Sequence, residues 1–441
     1  MKELSIIVLL ILSLFGCSSN DSVQISGRME NGDSIVSIWV GDSIYSFSLD
    51  ENNFFSGKIP MKQSGYGTLL HNSLNLYLSP GEDLEVYVDN FNFSSSLYFR
   101  GSLGGVNNYL KEQEIAVFFD KDDYKLQEDL FVEKMKRLID EKIKLLEAKN
   151  FDPSFTGLEK ERIRYSIAER VFYYPTFRRN AGDTYYMPGK IFTDFLSSFS
   201  LNNEALFGTK DYRAFLLNYV YLQGNRWVNN NYSDGVVDYI VSTVTNPTIK
   251  DFLLTEIVYR FIGENNGLEG ADYLLKVFRR ECSDKNKVNY IDEIVDRWAK
   301  LLPGRPAPDF TLKDINGKPV TLSDYAGYYV YITVWATWCV PCKSEFPYLN
   351  LLQKVYENRK IKFMTISIDE PKMSRQWHDF LVEKKYKGIH MIVDKDSRFN
   401  EDYMIISVPR FILVGREGEI VSSNAPRPSG QIRQLLNSLD V

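Results

Sequence analysis

Residues 21 to about 103 alternate apolar and polar positions in short pieces. SVQISGRM, SIVSIWV, SIYSFSL and LNLYL each have the length of a strand, and ENGD, DENN and SPGED separate them. Short strands punctuated in this way predict an antiparallel sandwich or barrel-like module. The period then changes. LQEDLFVEKMKRLIDEKIKLLEAK sets Leu130, Phe131, Met135, Leu138, Ile139 and Leu146 near one helical stripe. TIKDFLLTEIVYRFI does the same with Ile249, Phe252, Leu253, Ile257 and Phe261. Pro153, Pro175, Pro188 and Pro247 punctuate these helices. The stretch predicts an irregular helical domain whose Tyr and Phe faces build its core.

LLPGRPAP, residues 301–308, holds three prolines and a glycine and cannot continue a helix. A compact pattern follows. DFTLKDINGKPVTL reads as two short strands around a turn at Asn316-Gly317. YYVYITVWA is a continuous apolar run, as a strand buried on both faces would be. CVPCKSEFPYLNLLQKVYE has helical period, KIKFMTISID is a second buried strand, and SRQWHDFLVEKKY is amphipathic. HMIVD, SVPRFILVG and EIVSS are further strands, the last two an antiparallel pair, and QIRQLLNSL is a closing helix. The order is β–α–β followed by β–β–α, with an α/β piece inserted between the halves.

The chain opens MKELSIIVLLILSLFGC. The apolar run from Ile6 to Phe15 is shorter than the roughly 20 residues a membrane-spanning helix needs. It has the length of a signal-peptide core. Its end, Leu14-Phe15-Gly16-Cys17, resembles a bacterial lipobox, which implies lipidation at Cys17. A plain cleaved signal or an uncleaved anchor is the alternative. Lipid attachment would place the remaining domains in an extracytoplasmic, oxidising space.

Composition adds bounds. The 441 residues suit several domains, and 44% apolar with 25% charged residues is an ordinary globular balance. A net charge of −6 argues against a nucleic-acid partner, which calls for a basic face. Four cysteines, Cys17, Cys282, Cys339 and Cys342, are too few for a disulfide scaffold.

WATWCVPCK, residues 335–343, carries the chemistry. Two cysteines at this spacing serve as a metal clip, a structural staple or a redox couple. Zinc needs four ligands, and only Cys282, His71, His378 and His390 remain to complete the set. A copper carrier would want a CxxxC and a dedicated histidine. A staple here closes so short a loop that it stabilises little. A peroxidatic cysteine would want Thr three residues before it, where Ala336 stands. The couple is the reading that survives. Cys339 stands where strand passes into helix, so free N–H groups and the positive dipole end favour its thiolate. Cys342 lies one turn on, within reach to resolve a mixed disulfide. Pro341 fits the first turn, where its missing N–H costs nothing. Trp338 covers the couple. Cys282, near a helix end, reads as a small buried hydrophobe, with a regulatory thiol as the alternative.

PAPDFTL, NGKPVTLSDYAG, WATWCVPCKSEFPYL and SVPRFILVGREGEIV together resemble the TlpA/ResA-type thiol-disulfide oxidoreductases of the thioredoxin superfamily. LYLSPGEDLEVYVD with LYFRG is similar to the small β domain at the N-terminus of many such lipoproteins. Pattern and resemblance together give a multidomain chain: a lipoprotein signal peptide over 1–16, an all-β domain over 17–103, an irregular α-helical domain over 104–301, and, where the resemblance covers roughly the last third, an α/β thioredoxin fold with an inserted α/β element over 302–441. It implies that Pro409 is the cis-proline facing the active site, with Val408 offering backbone groups to substrate. Where ordinary thioredoxin carries a buried Asp, this chain has Thr333. The family's alternative carboxylate is Glu345, three residues after the second cysteine, as proton acceptor for Cys342. Tyr328 replaces a common lysine.

The expected function is membrane-anchored reduction of disulfides in exported proteins, of the cytochrome c maturation type. Electrons would come from a membrane thiol transporter, with no external cofactor and no metal. Isomerase or oxidant action is the alternative within the class. A lipoprotein binding or scaffold protein with an accessory redox domain is the alternative outside it.

Overall fold

The computed structural model describes residues 21–441 except 33, 42, 116–120 and 225–231. Cys17 and the expected signal segment lie outside the described residues. Of the described residues, those over 21–224 with 243–249 make one compact unit, and those over 232–242 with 250–441 make the other.

The first unit begins with eight strands: β1 (Ser22–Glu30), β2 (Ile35–Val40), β3 (Ser43–Ser48), β4 (Phe54–Pro60), β5 (Gly65–Leu69), β6 (Leu74–Leu78), β7 (Asp83–Asp89) and β8 (Tyr98–Arg100). They form two four-stranded sheets, ordered β4-β1-β7-β8 and β3-β2-β5-β6. The alternation seen in the sequence is the alternation of burial: Val23, Ile25 and Met29 of β1 and Leu84, Val86 and Val88 of β7 face the core. One expectation is corrected here. The module is not wholly antiparallel, because the chain returns to lay β7 parallel to β1 while β4 runs antiparallel on its other edge. Gly27 permits this close pairing, since a Cβ there would stand 1.9 Å from the Val86 carbonyl oxygen.

Helices complete this unit. Glu128–Glu147 buries Phe131, Val132, Met135, Ile139 and Leu146. Leu130 is 47% exposed and falls off the expected stripe, one helical step away from Phe131. A buried polar network joins the second sheet to the helices Pro153–Val171 and Lys210–Gly224. Tyr66 donates to Glu159 at 2.6 Å, and Arg162 grips Glu159 with two bonds of 2.7 and 2.8 Å and reaches Asp211 at 3.1 Å. Arg213 stacks 3.8 Å from the Trp39 ring centroid and bonds Thr68. Each charged group of this network therefore has a hydrogen-bond partner, the condition on which burial is tolerated.

The second unit holds the later helices, among them Asp272–Glu281 and Lys285–Ala299, and a seven-stranded sheet. Its strands are β9 (Thr311–Asp314), β10 (Pro319–Thr321), β11 (Tyr329–Trp335), β12 (Ile361–Ser367), β13 (Ile389–Ile392), β14 (Arg410–Val414) and β15 (Ile420–Ser422). The order is β10-β9-β13-β12-β11-β14-β15. Central β11 runs parallel to β12 and antiparallel to β14. Helices Val340–Val355 and Ile432–Asn437 cover one face through Leu349, Leu352, Ile432 and Leu436, packed on Tyr331, Phe363, Phe411 and Leu413. The N-terminal β, central α and C-terminal α/β layout expected from the sequence is the observed one. The proline-rich segment ends the preceding helix and then lies along β15. Gly304 N–H bonds the Ile420 carbonyl at 2.8 Å and Ala307 N–H bonds the Gly418 carbonyl at 2.8 Å.

Candidate active site

β11 ends at Trp335, and five residues later the helix Val340–Val355 begins. Cys339 is its N-cap, with extended backbone angles. Its sulfur accepts the Cys342 N–H at 3.2 Å, a contact that favours negative charge on that sulfur once the couple is reduced. Cys339 and Cys342 are joined as a disulfide. Cys342 is wholly buried and Cys339 nearly so, at 4% exposure, so Cys339 is the sulfur a partner reaches first. Both belong to an apolar cluster with Trp335, Phe346, Trp377 and Leu381. That burial opposes ionisation, and the helix terminus with its N–H favours it.

The Val408-Pro409 peptide is cis. The Val408 carbonyl oxygen lies 3.7 Å from the Cys339 sulfur. Trp338, one residue before Cys339, is 63% exposed.

Asp369, which sequence reasoning missed, braces the turn into the site. It is 2% exposed and follows β12. Its carboxylate accepts the Thr337 N–H at 2.9 and 3.1 Å, the Thr337 hydroxyl at 2.8 Å and the Ser367 hydroxyl at 2.6 Å. An Asp just past the carboxyl end of a buried strand, beside the strand that leads into the cysteines, was the available signal.

Residues 303–423 match the AhpC/TSA family. Over 117 residues the chain is 32% identical to the thiol-disulfide oxidoreductase ResA of Geobacillus kaustophilus (strain HTA426), covering 26% of this chain and 66% of that protein. Over 120 residues it is 34% identical to the ResA of Bacillus subtilis (strain 168), covering 27% and 64%. These matches span just under two thirds of the relatives' own lengths. The thioredoxin domain of a thiol-disulfide oxidoreductase from Bacteroides vulgatus is similar at 27% identity, over 31% of this chain and 98% of that one, with a TM-score of 0.29. The C-terminal third is a thioredoxin-like domain of the AhpC/TSA family.

Within the thioredoxin-like domain, Thr333 occupies β11 six positions before Cys339, 1% exposed, with its hydroxyl unpaired among the described residues. Glu345 lies on the active-site helix, 5% exposed. Ser429 bonds it twice, through its N–H at 2.9 Å and its hydroxyl at 2.8 Å, and Arg427 stands 3.7 Å away. Its charge and burial together push the Tyr331 hydroxyl well above its ordinary range, burial being the larger cause. Cys282, outside this domain, caps the helix Asp272–Glu281 with its sulfur 3.7 Å from the Asp284 carbonyl. Burial pushes its thiol up to about 11, the behaviour of an inert packed cysteine. His390 is packed between Thr365, at 2.8 Å, and the Tyr386 carbonyl, at 3.1 Å, and burial lowers its proton affinity. His378 is exposed.

Proposed function

We propose that this protein is an extracytoplasmic thiol-disulfide oxidoreductase, lipid-anchored through Cys17, that reduces disulfides of exported proteins. The observation that carries the reading is the Cys339–Cys342 disulfide at a helix N-terminus, with the Cys342 N–H on the Cys339 sulfur and the Val408 carbonyl beside it.

In the reduced enzyme the Cys339 thiolate attacks one sulfur of a substrate disulfide. A mixed disulfide forms and one substrate thiolate leaves. The Cys342 thiol then loses its proton and attacks the Cys339 sulfur. The internal disulfide closes and the second substrate thiolate departs, so two electrons pass from the dithiol to the substrate. Glu345 is the proposed proton acceptor, acting from the same helix one turn beyond Cys342. Val408 and Pro409 shape the groove in which an extended substrate lies, with Trp338 on its rim. A membrane thiol transporter recharges the couple. The names of the ResA relatives support this class, and service to cytochrome c maturation is the substrate proposal that goes with them.

The test is the reduction potential of the couple, equilibrated in thiol buffers and read by thiol trapping. A value near −270 mV or lower is expected of a reductant, as in thioredoxin. A value near −120 mV would reverse the direction to disulfide donation. No reversible couple at all would overturn the enzyme reading in favour of a scaffold.

A further inference from the structure

At the far end of the active-site helix a cavity of about 760 Å³ opens between the helix's last turns, the start of β12 and the turn before β13. That volume is in the range of small-molecule sites. Four of its lining residues are lysines, Lys354, Lys362, Lys385 and Lys387, against the single carboxylate of Glu357. Among the described residues none of the four has an ion-pair partner, although the chain as a whole carries a net charge of −6. Lys362 sits 4.5 Å from the Tyr328 ring centroid. The negative end of the helix dipole, worth about half a charge, is outweighed by a local excess of three positive charges.

A second feature points the same way. Gln353 lines this cavity, and both its amide nitrogen and its amide oxygen are shut off from solvent with no hydrogen-bond partner. The amide lies under Gly388, whose φ is +125° and where a Cβ would stand 2.6 Å from the Gln353 nitrogen. Buried polar groups are seldom left unbonded. Here one donor and one acceptor wait beneath a cationic turn. Tyr356 and Phe363 add apolar wall.

We propose that this cavity binds a phosphate-bearing anion, its oxygens held by the lysines and by the Gln353 amide once the turn at Lys385–Gly388 parts. Lysine ammoniums are compact point charges suited to phosphate. The aromatic wall takes the less polar part of the ligand. A soluble phosphate ester and an anionic phospholipid headgroup share this chemistry. The site is separated from Cys339 by most of a helix about 24 Å long.

The experiment titrates the full chain with inorganic pyrophosphate, and sediments it with phosphatidylglycerol or phosphatidylcholine vesicles. The wild type is compared with the Lys362→Gln/Lys387→Gln double variant and with Gln353→Met. Saturable pyrophosphate binding that weakens at least about tenfold in both variants, about 1.4 kcal/mol, supports the site with a soluble phosphate as ligand. Wild-type preference for phosphatidylglycerol, lost in both variants without pyrophosphate binding, supports it with the headgroup as ligand. Gln353→Met keeps the surface charge and removes an unpaired amide, so its unfolding midpoint holds or rises and it reports even if the double variant folds poorly. Binding equal to wild type in Gln353→Met, or no saturable binding of either probe by the wild type, overturns the proposal.

Discussion

Asp369 holds Thr337 by three bonds, two to its N–H and one to its hydroxyl, and so sets the turn that delivers Trp338 and Cys339. The carboxylate is buried and takes a fourth bond from Ser367. Asp369→Ala strands these donors. The variant is expected to lose about 2–4 kcal/mol of stability in the thioredoxin-like domain, measured by calorimetry, and to exchange disulfides more slowly. An unchanged transition would mean that other contacts hold the turn.

Glu345→Gln separates proton transfer from architecture. The Ser429 N–H still finds an amide carbonyl, so the unfolding midpoint should hardly move. A positioned base contributes about 100-fold or more. Turnover should therefore fall by roughly that factor, with the mixed disulfide accumulating on acid quench. Loss of stability without accumulation would assign Glu345 to clamping Ser429 alone.

Cys282 should resist alkylation. With its thiol pushed up to about 11, roughly one molecule in a thousand carries the thiolate at pH 8. Mass spectrometry after iodoacetamide treatment of the reduced native protein should find the label on Cys339 and not on Cys282. Denaturation before labelling should expose Cys282.

Glu169 predicts a pH dependence. Burial, with a smaller contribution from Asp211, raises its carboxyl from the ordinary 4.5 to about 7. Below pH 4.5 the folded and unfolded chains both hold the proton, and the residue costs nothing. Between pH 4.5 and 7 the unfolded chain has ionised while the folded carboxyl stays protonated, so stability falls as pH rises. The loss is complete above pH 7, at most about 3 kcal/mol. Glu169→Gln should flatten the stability profile across that window and be the more stable protein at pH 8. A parallel profile for both proteins would show that Glu169 ionises in the folded state as it does in the unfolded one.

Much of the fold was legible in the sequence because the signals are local. Val23, Ile25 and Met29 face one side of a strand by the period of two alone. Cys339 at a helix N-terminus, with Pro341 in the first turn, follows from a strand run meeting a helical run. The parallel pairing of β1 with β7 was not legible, since alternation sets which side is buried and not which strand lies alongside. Leu130 was misplaced because apolar neighbours one step apart both satisfy a loose stripe.

The sequence by itself therefore determined the identity and spacing of the redox pair, its place on a helix and the order of the elements around it. Those follow from backbone periodicity and capping, which act over a few residues. Only the tertiary structure decided what each group touches. Ser429 meets Glu345 from 84 residues away, Val408 meets Cys339 from 69 and Asp369 meets Thr337 from 32. The same holds for the four lysines, drawn from a helix, a strand and a turn to one cavity over an unpaired amide. Such contacts depend on how the layers stack, and packing is settled by the chain as a whole.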